Sequence, residues 1–307
     1  MKNRQPEFLK KGDCVAIVAT ARWLNQGEES KAKELLEAAG LIVEVFPEVF
    51  EKEFQLAGND ETRANSLQRA LDDERYRAIL IARGGYGTVR ILDRLDFTKW
   101  LQRPSWICGY SDITALLGHI ERLGVAGIHS TMPISFPVAT EEALDQLVDS
   151  LMGKHTHQQW NSNYLGDLAL SAKLIGGNLS VLYSLVGSIS YPNTSNSILL
   201  LEDVDEMIYH IDRMMEGLRR SGGLNGVRAI LLGGLTQMRD NTLDFGFSQN
   251  NPFGETAESA IIRVANSLEI PVIPGFPTGH QNDNRPFYHG MEVELVASNG
   301  TVVVKYY

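Results

Sequence analysis

Cysteine is scarce in this chain: Cys14 and Cys108 are the only two among 307 residues. That count excludes a disulfide scaffold, and each thiol lies inside an apolar run that reads as a strand, so buried free thiols are expected. Positive charge is also in deficit. Lys and Arg number 28 against 38 Asp and Glu, a formal net charge of −10. Such a surface argues against nucleic acid and against anionic membranes as partners, since both need clustered Lys and Arg. Long apolar runs are missing as well, and none is long enough to span a bilayer. The opening residues, MKNRQPEFLKK, carry charge but lead into no apolar stretch of the signal-peptide kind, which predicts a cytoplasmic protein.

What remains is an ordinary globular balance, 43% hydrophobic and 21% charged, with length for about two domains. Residues 14–20 (CVAIVAT) form a continuous apolar run, as a parallel strand buried on both faces requires. Residues 28–39 read as a helix and 41–46 as a strand. Residues 60–70 read as a helix with Asp60 as N-cap, and 78–82 as a strand. A helix at 89–95, a strand at 106–108, a helix at 113–123 and a strand from 127 complete a βα alternation. The polar stretch GKHTHQQWNSNYLG then reads as a linker or exposed hairpin. A second α/β unit follows, with strands at 197–201, 229–232 and 271–273, helices near 207–220 and 256–268, and a closing antiparallel pair at 292–296 and 301–304. The expected fold is α/β: a Rossmann-like parallel-sheet domain over residues 1–152, a linker over 153–168, and a smaller α/β domain over 169–307.

Three places break this pattern. Arg83-Gly84-Gly85-Tyr86-Gly87 follows a strand directly. Its glycines would let backbone N–H groups approach a ligand, or would simply make a tight turn; the Walker lysine and the full dinucleotide spacing are absent. Gly109-Tyr110-Ser111-Asp112 joins a strand to a helix, where α/β sheets bind ligands and a helix N-terminus favours an oxyanion. The placement is that of a nucleophile elbow, although Ile113 stands where the second glycine of G-x-S-x-G would be. The alternative is that Ser111 or Asp112 only caps the helix. Third, an apolar strand runs into Glu202-Asp203, and Gly279-His280 lies in a loop rich in Pro, Gly and Asn, free to face a cleft. The other histidines fall in helices, strands or the polar stretch. There His155 and His157 could ligate a metal but lack a Cys or acidic partner at suitable spacing, so a solvated segment is expected and no metal site is assigned.

Taken in order, these segments resemble the LD-carboxypeptidase (muramoyltetrapeptide carboxypeptidase) family. The resemblance runs through GDCVAIVAT, Asp60 and Arg63, Ala82-Arg83-Gly84-Gly85-Tyr86-Gly87, Leu92 and Asp96. It continues through Gly109-Tyr110-Ser111-Asp112-Ile113-Thr114, Gly176-Gly177-Asn178-Leu179, Leu201-Glu202-Asp203 and Gly279-His280. One departure is Ala21-Arg22-Trp23, where the family usually has a small Ser/Pro-containing turn. The resemblance implies a triad of Ser111, Glu202 and His280, and it alone selects Glu202 over Asp203. It also implies an oxyanion hole from the backbone N–H groups of Asp112 and Gly85, and no metal or organic cofactor. The implied reaction releases terminal D-Ala from cytoplasmic muropeptide tetrapeptides in peptidoglycan recycling, by a homodimer. A related branch of the family cleaves a peptidyl-nucleotide antibiotic in self-immunity. Outside enzymes, the glycine turn suits a non-catalytic binder of small anions. Arg83 reads either as a contributor to a carboxylate anchor or as a structural arginine.

Overall fold

The computed structural model describes residues 3–307. Its first half places five parallel strands: β1 (Cys14–Val18), β2 (Ile42–Val45), β3 (Tyr76–Ile81), β4 (Trp106–Gly109) and β5 (Gly127–His129). Helices α1 (Ser30–Ala38), α2 (Asp60–Asp72) and α3 (Thr114–Arg122) form crossovers, and α4 (Glu141–Leu151) follows. The strand order β2-β1-β3-β4-β5 is that of a doubly wound sheet, in which ligands sit beyond the carboxyl ends of the strands. The ends of β1, β3 and β4 are neighbours there, which brings the turn at Arg22, the turn at Gly84-Gly85 and Ser111 to one rim.

The second half builds β6 (His157–Asn161), β7 (Leu168–Asn178), α5 (Leu179–Ser184), β8 (Ser197–Val204), α6 (Ile208–Ser221), β9 (Val227–Thr236), α7 (Ala257–Asn266), β10 (Val272–Pro274), β11 (Phe287–His289), β12 (Glu292–Ser298) and β13 (Thr301–Tyr306). Seven strands form a mixed sheet in the order β10-β9-β8-β7-β12-β13-β6. The first four run parallel, and β12, β13 and β6 add antiparallel neighbours. Strand β11 leaves this half and pairs antiparallel with β5, making the first sheet six-stranded.

Period-two burial explains the apolar runs. Val15 and Ile17 of β1 face one core cluster, and Ala16 and Val18 face another. The first of these clusters continues through Leu174, Leu200, Leu231 and Val293 of the second sheet, so one core joins the two halves. Leu199, Leu201 and Ile230 face α5, α6 and α7 on the far side. Cys108 is buried and Cys14 half-buried, both free. No helix among the described residues is long and apolar enough to cross a membrane.

Several local expectations are corrected. The N-cap of α2 is Asn59, whose side chain accepts from Thr62 N–H at 2.8 Å; Asp60 instead binds Arg63 and Arg90. In place of a helix at 89–95 there are two 3-10 turns, Thr88–Arg90 and Leu92–Arg94, which together bury the adjacent Ile91 and Leu92. The polar stretch expected as a linker or hairpin contains β6, an edge strand of the second sheet. Its alternate residues Gln158 and Trp160 turn inward, and Trp160 Nε1–H donates to the Pro274 carbonyl at 3.1 Å. His155, expected in solvent, is buried against Tyr288 and Tyr306.

Candidate active site

Strand β4 ends in a turn that puts Ser111 at φ +63°, a left-handed backbone that β-substituted residues seldom adopt. A single 3-10 turn, Ser111–Ile113, leads into α3. The conformation is that of a sharp strand-to-helix elbow and is a reservoir of strain of the sort found at working residues. Ile113, the residue that departs from the elbow pattern, packs over Gly109: a Cβ at Gly109 would stand 2.9 Å from its side chain. The smallness the motif needs is thus retained on one side only.

The glycine turn is held by a buried polar frame. Arg63, fully buried, donates to the carbonyls of Thr20 and Gly87 and pairs with Asp60. The buried Asp112 carboxylate accepts from Thr88 N–H at 2.8 Å; burial raises its pKa, against the hydrogen bonds it accepts. A Cβ at Gly84 would lie 3.2 Å from Ser111 Oγ, so the turn runs directly against the serine. Among the described residues, neither Gly85 N–H nor Asp112 N–H has a protein acceptor.

The other side of the site comes from the second sheet. Glu202, near the end of β8, is fully buried, and its Oε2 accepts from His280 Nδ1 at 2.7 Å and from His280 backbone N–H at 3.2 Å. His280 Nε2 stands 3.1 Å from Ser111 Oγ. Burial lowers the pKa of His280, but the Glu202 charge and hydrogen bond outweigh it, and the net shift is upward from 6.5. Tyr110 packs on the imidazole, ring centroids 4.9 Å apart. The adjacent Asp203 turns away to accept from Asn178 Nδ2, Ser180 N–H and Val204 N–H at 2.8, 2.9 and 2.9 Å. Burial and then the Glu202 charge push Asp203 up to about 7. Asn178 also caps α5 and donates its backbone N–H to Thr114 Oγ1 at 3.0 Å, so it ties the helix after Ser111 to the strand carrying Glu202.

Ser111, Glu202 and His280 therefore converge from two sheets; Gly84 lies against the serine, and Gly85 lines the same cavity. The remaining histidines stay outside; His129 and His289 are fully buried, where burial pulls them down to about 3 and about 4. Ser111 and His280 face a cavity of about 540 Å³, also lined by Arg22, Arg83, Gly84, Gly85, Tyr110, Met132, Ile134, Val204 and Asp205. A side lobe of about 220 Å³ lies past His280, against Thr131, Ser135 and Gln237. Asn284 escaped the sequence reading, and Arg22 and Tyr110 entered it only as part of a departure from the family pattern and of the serine motif. Asn284 Oδ1 accepts from Gly279 N–H at 2.8 Å and fixes the His280 loop. Among the described residues, no group of three His, Cys, Asp or Glu side chains could hold a metal ion.

Models of the LD-carboxypeptidase N-terminal domain and C-terminal domain match residues 15–130 and 171–295. A murein tetrapeptide carboxypeptidase of Pseudomonas aeruginosa is 30% identical, the match covering 92% of this chain and 92% of that protein. The crystal structure of a muramoyltetrapeptide carboxypeptidase from Oxalobacter formigenes superposes with a TM-score of 0.85 at 25% identity, covering 95% of this chain and 98% of that one. The microcin C7 self-immunity protein shares the fold, with a TM-score of 0.85 at 19% identity over 98% of each chain. The chain belongs to the LD-carboxypeptidase family.

Proposed function

We propose that the protein is a serine-type LD-carboxypeptidase that releases terminal D-Ala from muropeptide tetrapeptides. The observation that carries this reading is the continuous chain from Ser111 Oγ through His280 to the buried Glu202, at 3.1 and 2.7 Å. His280, as neutral imidazole, takes the Ser111 proton while Oγ attacks the scissile carbonyl. Glu202 holds the Nδ1 proton in place and stabilises the imidazolium that forms. The N–H groups of Gly85 and Asp112 receive the developing oxyanion, each donor contributing roughly 3 kcal/mol as in other serine hydrolases. His280 then protonates the departing amine, and water releases the acyl group from Ser111 by the reverse proton path. The murein-peptide names of relatives at about this identity support the substrate class.

The test is mass spectrometry of L-Ala-D-Glu-diaminopimelate peptides after incubation with wild-type protein and with Ser111→Ala. Release of D-Ala from the tetrapeptide is expected, with turnover in Ser111→Ala below about a hundredth of wild type. Equal cleavage of the L-Ala epimer, or preferred cleavage within a D-Ala-D-Ala pentapeptide, would refute the stereochemical assignment. Full activity in Ser111→Ala would refute the nucleophile.

A further inference from the structure

Two arginines, Arg22 and Arg83, line the Ser111 cavity in a protein whose net charge is −10. Among the described residues, neither Arg22 nor Arg83 forms an ion pair. The carboxylate that shares the cavity, Asp205, is bound by Arg239 at 3.0 Å. Arg83 donates from Nη1 to the Trp23 carbonyl at 3.3 Å, which braces the turn after β1. Arg22 is the less committed. Its Nη2 donates to the neutral Gln55 Oε1 at 3.1 Å, while its Nε is buried with no hydrogen-bond partner.

Its position is specific. Gly85 has φ +114°, and a Cβ there would stand 2.6 Å from Arg22 Nε. The guanidinium stem therefore lies directly on the residue proposed above as an oxyanion donor. Nε is enclosed against Gly85, so a ligand would be met by the terminal nitrogens of this half-buried guanidinium, and a carboxylate is the partner they fit best, through two parallel hydrogen bonds. The carboxylate of a C-terminal residue lies one Cα beyond the scissile amide, so a group adjoining the oxyanion donors is within its reach.

We infer that Arg22 takes the free α-carboxylate of the leaving residue and so restricts cleavage to the last peptide bond. The inference rests on the function proposed above and names the group that would make the enzyme a carboxypeptidase; Arg83 acts as a positioning residue for the same turn. The acidic surface repels a peptide carboxylate, which makes a local cation more necessary.

The experiment compares the tetrapeptide L-Ala-D-Glu-diaminopimelate-D-Ala with the same peptide ending in D-alaninamide. Binding is measured by calorimetry on Ser111→Ala and on Ser111→Ala with Arg22→Gln. Hydrolysis is measured on wild type, Arg22→Gln and Arg22→Lys. The acid should bind and react about a hundredfold better than the amide wherever Arg22 is present, the size of one charge-assisted contact. Arg22→Gln should bring the two peptides within a few fold, chiefly through KM, and Arg22→Lys should recover part of the preference. Binding does not require a nucleophile, so the acid-to-amide ratio reads Arg22 even if neither peptide is hydrolysed, an outcome that refutes the proposed function alone. Equal binding of acid and amide to Ser111→Ala, no binding of either, or a preference that survives Arg22→Gln would overturn the inference.

Discussion

Ser111 has a backbone that glycine adopts freely and other residues adopt at a cost of roughly 1–2 kcal/mol. Ser111→Gly and Ser111→Ala both remove the hydroxyl, so their difference isolates that strain. The glycine variant should be the more stable by about 1 kcal/mol in denaturant unfolding, the reverse of their order inside a helix. The net upward shift of His280 has its own consequence. A base must be neutral to act, so kcat/KM should rise with pH through a midpoint above 6.5. Glu202→Gln removes the charge that opposes burial, so the residual activity, lower by roughly a thousandfold, should show that midpoint displaced downward. An unmoved midpoint would mean that another group sets the limb. The choice between Glu202 and Asp203 was not legible from the residues themselves. Neighbours on a strand point to opposite faces, and only the packing of β8 between β7 and β9 decides which face looks into the cleft.

At the scale of elements, the loop carrying His280 and the turn carrying Gly85 depend on close backbone approach. Gly279 has φ +108°, and a Cβ there would stand 2.8 Å from Glu202 Cβ. Gly279→Ala should therefore cost about 1–3 kcal/mol and depress kcat together with stability. Arg63→Met would leave the Thr20 and Gly87 carbonyls without their buried donor. A loss on the order of 3 kcal/mol is expected, with a fall in activity because the glycine turn loses its anchor; a melting curve and a rate on the same preparation check both. The central strands were readable because both of their faces are buried, which leaves unbroken apolar runs. Strand β6 was not: its sequence HQQWN buries a glutamine and one tryptophan, and only the exposed edge of β13 gives it a partner. The cap of α2 lay one residue upstream of the aspartate expected, since Asn59 and Asp60 both suit the role and the demands of Arg63 and Arg90 take Asp60 elsewhere.

Across the whole molecule, β11 crosses back to the first sheet and one apolar cluster runs through both. Unfolding should accordingly be a single transition, the same by fluorescence of the four tryptophans as by far-ultraviolet circular dichroism; two separated steps would show that the halves stand alone. The α/β class and the alternation of elements were legible locally, whereas the return of β11 was not, because residues 287–289 pair with residues 127–129 and no local pattern records so distant a partner. The split of the site between sheets also has a bearing on how the protein is made. During synthesis the glycine turn and the strained serine emerge first, Glu202 follows, and His280 comes last of the three. On the proposed mechanism a chain that has not yet reached His280 carries a serine with nothing to deprotonate it. On that mechanism hydrolytic activity arrives only once His280 has been made and docked, so that a chain cut short before it is inert toward peptides.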